Sequence, residues 1–367
     1  MPQPELDLET CRGRQRRLIE TMQDDEIDLV IVTQTEHVQW LTGARYPWTM
    51  QPAVALRADG HLTLVAPEKP RLDAAADEVV TYEAQWHSTL RNDQREASMD
   101  VLLAALDGSP QPDRIGVEFT SFPLHGIEIG EDKIDIEPIL YHLRRRKDAD
   151  ELAMIRKAIA GTRKMYERAR EIIEPGISEL EVFNQLQSAA VEEFGEMLTG
   201  TGNDYQCCSR GGAPRSDHAA QAGELYILDL GPAYRGYFAD NCRTIAVTEV
   251  SDIQQEAWQF IMQVFDHIEK TVRPDKSAQE LFHETQAILD QAPVGIFNHH
   301  LGHGIGLFPH EAPHLNPNWD DTFEQDEVFT AEPGLYASEL KAGMRIENNY
   351  LVTEDGIELL TDFSLEL

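Results

Sequence analysis

The hardest constraint on any fold this chain can adopt is a carboxylate set in the middle of an apolar strand. Tyr226 to Gly231 reads YILDLG, with Asp229 among packing residues, and Tyr237 to Val247 reads as a second strand containing Asp240. A turn around Tyr234 to Gly236 joins them. With the hairpin centred between Tyr234 and Arg235, Asp229 and Asp240 face each other on one side of the sheet. Like charges directly opposite destabilise a strand pair, and in a core the cost reaches on the order of several kcal/mol unless a proton or a cation compensates. The plain alternative leaves one aspartate in solvent or paired with Arg243.

Two further segments carry residues of the same kind. His299-His300-Leu301-Gly302-His303-Gly304-Ile305-Gly306-Leu307, followed by Phe308-Pro309-His310-Glu311, is too glycine-rich for a helix. Its imidazoles, at 299, 303 and 310 above all, are presented from extended backbone that approaches a bound group closely. Glu332, in VFTAEPGLY, and Glu347, in MRIENNYLV, lie in strand contexts. Arg345 stands two residues before Glu347, on the same strand face, where it can orient that carboxylate. Either glutamate alone could be an ordinary salt-bridged strand residue. Together, Asp229, Asp240, Glu332 and Glu347 with a neutral His303 carry about four negative charges, which two divalent cations would balance. Oxygen-rich ligation with one imidazole suits manganese, iron, cobalt or zinc better than a thiolate-preferring metal. Two such ions are expected about 3.5–4 Å apart, sharing a hydroxide.

The rest of the chain supplies the frame for such a site. Residues 1–145 alternate short strands, at 28–32, 53–57, 62–66, 79–82 and 115–118, with helical patterns, and a hairpin turn falls at Ala58-Asp59-Gly60. The pattern stops at the basic cluster Arg144, Arg145, Arg146, Lys147. Residues 146–367 open with a helix through Leu152, Ile155, Ile159 and Met165, stopped by Pro175-Gly176. A second helix begins at Ser178 with Glu181 three residues on, a capping-box start, and strands follow. The order then recurs, with a helix over 252–272 stopped before Pro274, a capping-box start at Ser277 with Glu280, and more strands. Two copies of a helix-pair-plus-strands unit make an α+β core with antiparallel strands and internal pseudo-symmetry.

Across the 367 residues, 65 acidic side chains oppose 31 basic ones, a net charge of -34. Such a surface repels phosphate backbones and anionic lipid, which argues against nucleic-acid and membrane-surface binding and leaves metal ions and basic partners open. The scarcity of lysine fits either adaptation to salt or an ordinary solvated acidic surface. Cys11, Cys207, Cys208 and Cys242 are too few and too irregular for a disulfide framework. Reduced thiols, no apolar signal core in the first residues and no membrane-length run together predict a cytoplasmic enzyme.

In order and spacing, DLGPAYRGYFADNCRT, HHLGHGIGLFPHE, TAEPGLY and GMRIENNYLVTEDGIELLT resemble the pita-bread metallopeptidase family, most strongly its aminopeptidase P and prolidase branch. QWLTGARY and LRRRKDADELAMIRKA extend the resemblance to nearly the whole chain. It implies a pita-bread catalytic domain with pseudo-two-fold symmetry at 146–367, preceded by a smaller α/β creatinase-like domain at 1–145. It also implies that Asp229 chelates one metal, His303 and Glu332 hold the other, and Asp240 and Glu347 bridge. A metal-bridging hydroxide would then attack the scissile carbonyl, with Glu332 shuttling the proton and His218, His299 and His310 facing the substrate. The leading expectation is therefore an Xaa-Pro peptidase with two divalent ions, manganese first and cobalt, zinc or iron as alternatives, acting on small peptides as a homodimer. A metal-dependent, creatinase-like hydrolase or lyase of a small amide or osmolyte is the alternative, and a non-catalytic partner of basic proteins a third reading.

The chain departs from the family pattern in three places. The stretch from His218 to Asp229 is short for this branch, Asn241-Cys242 follows Asp240, and Cys207-Cys208 with Arg210-Gly211-Gly212 occupies the region where substrate selectivity is built.

Overall fold

Leu29–Val32 is a run of four apolar residues, all buried, the pattern of a strand covered on both faces. It lies inside a six-stranded sheet. The computed structural model describes residues 3–108 and 110–367, which fall into two units, one ending at Arg144 and the other spanning Arg145–Leu367. In the first unit the strand order is Glu78–Tyr82, Leu62–Pro67, Ala53–Arg57, Leu29–Val32, Arg114–Val117, Asp132–Asp135. The three strands Leu62–Pro67, Ala53–Arg57 and Leu29–Val32 pair antiparallel, and the outer ones add on in parallel. Gly60 closes the hairpin at φ +94°, its N–H donating to the Arg57 carbonyl at 2.9 Å. Helix Gln94–Leu106 lays Ala97, Met99 and Leu102 against Leu29, Ile31, Val65 and Ile115. Each fully buried side chain of that size contributes about 1.5–3 kcal/mol. The strand Asp132–Asp135 and the helix Glu137–Arg145 have no counterpart in the sequence reading, which ends the pattern at the basic cluster. That helix carries Arg144 and Arg145 at its C-terminal end, where cations are favoured.

The second unit repeats one arrangement. Helix Ala149–Ile172, opened by the Asp148/Glu151 capping box, and helix Glu179–Phe194, whose Ser178 Oγ accepts from the Glu181 N–H at 3.2 Å, form a pair. Met165, Tyr166, Val182, Leu186 and Ala190 from that pair pack on the three-stranded sheet of Asp204–Cys207, Leu225–Leu230 and Asn241–Ala246. Helix Asp252–Thr271 and helix Ala278–Leu289, capped at Ser251 and Ser277, form the second pair. Ile261, Val264, Leu281 and Phe282 pack with Leu301 and with Phe329 and Tyr350 of a five-stranded sheet ordered Glu311–Leu315, Gly302–Gly304, Val328–Ala331, Asn348–Val352, Ile357–Leu359. Pairing in both sheets is antiparallel, as the repeat of helix pairs and strands predicts.

Two strand expectations are corrected. The hairpin pairs Tyr234 with Tyr237 and Asp229 with Cys242, so its centre lies between Arg235 and Gly236. Those residues have φ of +47° and +91°, the two left-handed positions that a tight hairpin turn requires. Because partners move by two residues, the faces are unchanged and Asp229 and Asp240 become diagonal neighbours instead of a directly opposed pair. The segment predicted as one strand around Glu347 is two, Met344–Arg345 and Asn348–Val352. At the break, the Glu347 N–H turns to the Cys242 carbonyl at 2.9 Å.

Candidate active site

Each candidate ligand sits on or beside a strand of these two sheets. Asp229 is in Leu225–Leu230 and Asp240 immediately precedes Asn241–Ala246; His303 is central in Gly302–Gly304, Glu332 follows Val328–Ala331 and Glu347 precedes Asn348–Val352. All five, with His299, His300, His310, Asp204, Arg210, Tyr336 and Arg345, line one cavity of about 270 Å³. Gly304 is required by close approach, since a Cβ there would collide with the Ala312 carbonyl oxygen.

His303 is aimed by its own backbone. Nδ1 donates to the Gly304 carbonyl at 3.0 Å, which leaves the Nε2 lone pair facing Asp240 Oδ2 at 3.7 Å and Glu332 Oε1 at 3.8 Å. Burial, reinforced by His310, holds its pKa down at about 3, so the ring is a neutral donor. His310 stacks on it at 3.7 Å between centroids and 13° between planes. His299 donates from Nδ1 to the His300 carbonyl at 2.7 Å and accepts the Tyr336 hydroxyl at Nε2, 2.9 Å. Its pKa is lowered to about 4, chiefly by burial.

The carboxylates are in opposed states. Burial pushes Asp240 and Glu347 well above the usual carboxylate range, helped by their acidic neighbours, and raises Asp229 as well, against the pull of Arg345. Burial acts the same way on Glu332, but the hydrogen bond from His300 Nε2, 2.7 Å from Oε1, and the charge on that ring outweigh it and bring Glu332 down to about 2. Asp229 Oδ1 and both Glu347 oxygens are buried with no hydrogen-bond partner. Buried carboxylate oxygens without donors are the costly state that a cation relieves, so the residues present fit a divalent metal centre.

Some expected contacts differ. Arg345 does not hydrogen-bond Glu347; it donates to Asp229 Oδ2 at 2.7 Å and to Asp204, because the strand break turns the two side chains apart. Arg243 pairs with neither aspartate: it is buried and donates to the carbonyls of Cys242, Glu347 and Ser364. His218 is outside the cavity; its Nε2 lies 3.4 Å from Glu224 Oε2. Its backbone is held elsewhere, the His218 carbonyl accepting the Glu179 N–H and Ala219 bridging to Ser178 at the start of a helix.

The sequence reading assigned no role to His300, Asp204 or Tyr336. Strict alternation would put His299 and His300 on opposite sides, yet both face Glu332, at 3.9 and 2.7 Å, because regular strand begins only at Gly302. Asp204 could have been noticed only as an acid within a short polar run. The basic cluster also finds its use here. Lys147 Nζ binds Glu311 Oε2 at 2.9 Å, and that glutamate also accepts the Phe308 N–H, which pins the turn carrying His310.

Residues 153–354 match metallopeptidase family M24, and residues 14–145 match the creatinase/prolidase N-terminal domain. The chain belongs to metallopeptidase family M24 and is a peptidase by that membership. It is 27% identical over 364 residues to an Xaa-Pro dipeptidase of Pyrococcus horikoshii, covering 96% of this chain and 97% of that one. The crystal structure of the prolidase from Pyrococcus horikoshii OT3 superposes with a TM-score of 0.80 at 25% identity, over 97% of this chain and 99% of the other. An Xaa-Pro dipeptidase from Bacillus anthracis gives a TM-score of 0.81 at 23% identity, over 97% of this chain and 99% of that one, a likeness of fold. The architecture is thus a creatinase-type N-terminal domain and a pita-bread catalytic domain. Among the described residues no helix is long and apolar enough to cross a membrane.

Proposed function

We propose that this chain is an Xaa-Pro peptidase that hydrolyses the bond between an N-terminal residue and proline, and that Asp229, Asp240, His303, Glu332 and Glu347 hold two divalent ions, manganese being the first choice and cobalt, zinc or iron the alternatives. The observation that carries this reading is the convergence of four carboxylates, three of them buried and Asp229 largely so, on one neutral imidazole, with three of their oxygens having no hydrogen-bond donor. Asp229 would serve one ion, His303 and Glu332 the other, and Asp240 and Glu347 both. When bound, the ions supply Lewis acidity and make water acidic enough to deliver a hydroxide nucleophile near neutral pH. Glu332 would accept a proton and pass it on, while the hydrogen bond from His300 Nε2 to Oε1 steadies its carboxylate form. His299, both ring nitrogens engaged by the His300 carbonyl and Tyr336, would present its ring face to the substrate, and His310 at the rim would donate to the oxyanion. A cavity of about 270 Å³ suits a dipeptide or short peptide.

The proposal divides the labour at residues 145/146, with catalysis in the second domain, and expects a cytoplasmic homodimer, which light scattering of the purified protein checks for assembly. The functional test is to strip the protein with a chelator, reload manganese and follow release of the first residue from Ala-Pro, Ala-Pro-Ala, Ala-Ala-Ala and several amide osmolytes. Metal-dependent cleavage confined to bonds before proline is expected. Two bound ions per chain with hydrolysis only of an osmolyte would replace the peptidase reading with a small-amide hydrolase.

A further inference from the structure

His218 belongs to a second cluster of donors outside the catalytic cavity. Its Nε2 is buried, makes no hydrogen bond and faces Glu224 Oε2 at 3.4 Å. The same oxygen is 3.4 Å from Cys207 Sγ, and the three donor atoms lie within 4.8 Å of one another. Cys207 is fully buried and Glu224 is 8% exposed. A fourth donor stands next to them. Adjacent strand residues point to opposite faces, but Cys208 lies just past the end of the strand Asp204–Cys207, with φ +49°, and its thiol is near enough to Glu224 for that carboxylate to push its pKa up, after burial. Tetrahedral coordination with bonds of about 2.0–2.3 Å puts neighbouring donor atoms about 3.5 Å apart, and Glu224 Oε2 stands at 3.4 Å from both His218 Nε2 and Cys207 Sγ.

We propose that Cys207, Cys208, His218 and Glu224 form a structural site for a thiophilic divalent cation, zinc in the first place, distinct from the catalytic centre. Two thiolates, an imidazole and a carboxylate make a closed, four-donor set of the kind that selects zinc over manganese. The ligands bracket residues 209–217, the segment that carries Arg210 into the catalytic cavity. One end of that segment is already tied by the ion pair between Arg215 and the buried Glu179, with Arg215 also donating to the Cys207 carbonyl. A metal joining residues 207 and 208 to 218 would act as a clasp on the loop without taking part in the reaction.

The test uses the whole protein with its catalytic site saturated by manganese, titrated with cobalt as a spectroscopic stand-in and then with zinc. The expected result is one further equivalent per chain, accompanied by thiolate-to-cobalt charge-transfer absorption that zinc abolishes. The carboxylate and imidazole donors of the catalytic cavity cannot produce that band, so the outcome is independent of the peptidase reading. Cys207→Ser with Cys208→Ser should remove the band. His218→Ala, in a partly exposed loop where folding is not at stake, should weaken zinc binding at least about tenfold, since losing a ligand should cost no less than losing its outer partner. Absence of the band in wild type, or its survival in the double serine variant, overturns the proposal. So does loss of the band in Cys242→Ser with both neighbouring cysteines intact.

Discussion

Glu347→Gln exchanges the most isolated carboxylate of the site for its neutral isostere, and the structure predicts effects of opposite sign with and without metal. Both Glu347 oxygens are buried without a partner. Burial, then Asp240, Glu332 and Asp229, push the carboxyl well above its ordinary 4.5. A carboxyl raised in the fold keeps a proton that the unfolded chain releases. Metal-free stability is therefore fully present below the ordinary value and falls as the pH rises toward the folded one. At about 1.36 kcal/mol per pH unit, the loss accumulated between 4.5 and pH 7 is at most about 3.4 kcal/mol. The glutamine amide in turn lacks partners, at a cost of about 1–2 kcal/mol. The chelator-treated variant should thus gain on chelator-treated wild type as the pH rises, and exceed it by at most about 1–2 kcal/mol near pH 7. With manganese the order should reverse, because wild type alone keeps the complete ligand set, and hydrolysis by the variant should fall at least about a hundredfold. Urea unfolding from about pH 5 to 8, with and without manganese, together with initial rates, measures all of this. A metal-free variant less stable than wild type throughout that range would show that Glu347 is not held in an uncompensated acidic site, and the reasoning would fail.

Asp240→Asn should cut peptide hydrolysis at least about a hundredfold with the far-ultraviolet circular dichroism unchanged. Arg345→Met leaves Asp204 and Asp229 without their shared cation. It should cost about 3–5 kcal/mol in denaturant unfolding of the metal-free protein, the scale for breaking a buried pair. Gly304→Ala should lower the melting temperature and the manganese affinity together, because the new methyl displaces the backbone on which His303 sits. Ser178→Ala removes the acceptor of the Glu181 N–H and should cost about 1 kcal/mol, read as a shift in urea midpoint with activity intact at low denaturant.

Much of this fold is legible in the chain because its signals are local. Helix starts at Ser178 and Ser277, the stops before Pro175 and Pro274, and the buried strand at Leu29–Val32 depend on residues within one turn or one strand of each other. The hairpin centre was misplaced by one position because its register depends on which two residues take left-handed backbone, and Arg235 announces no such preference. The candidate ligands were legible for a different reason. A carboxylate in an apolar strand context is costly to bury, which marks Asp229 and Asp240 as a pair, while Glu332 and Glu347 stand out only beside them and through the order and spacing of the family motifs.

Tertiary structure decided what surrounds them. Arg345 serves Asp229 and Asp204 instead of its strand neighbour Glu347, and His300 turns to Glu332. His218 leaves the cavity for Cys207 and Glu224, neighbours within 17 residues whose meeting depends on how the intervening loop turns back. The sequence by itself determined which side chains could not be buried without compensation, since that is a property of each residue and its immediate neighbours. Which atoms compensate them is a matter of distances across two sheets, and only the folded chain sets those distances.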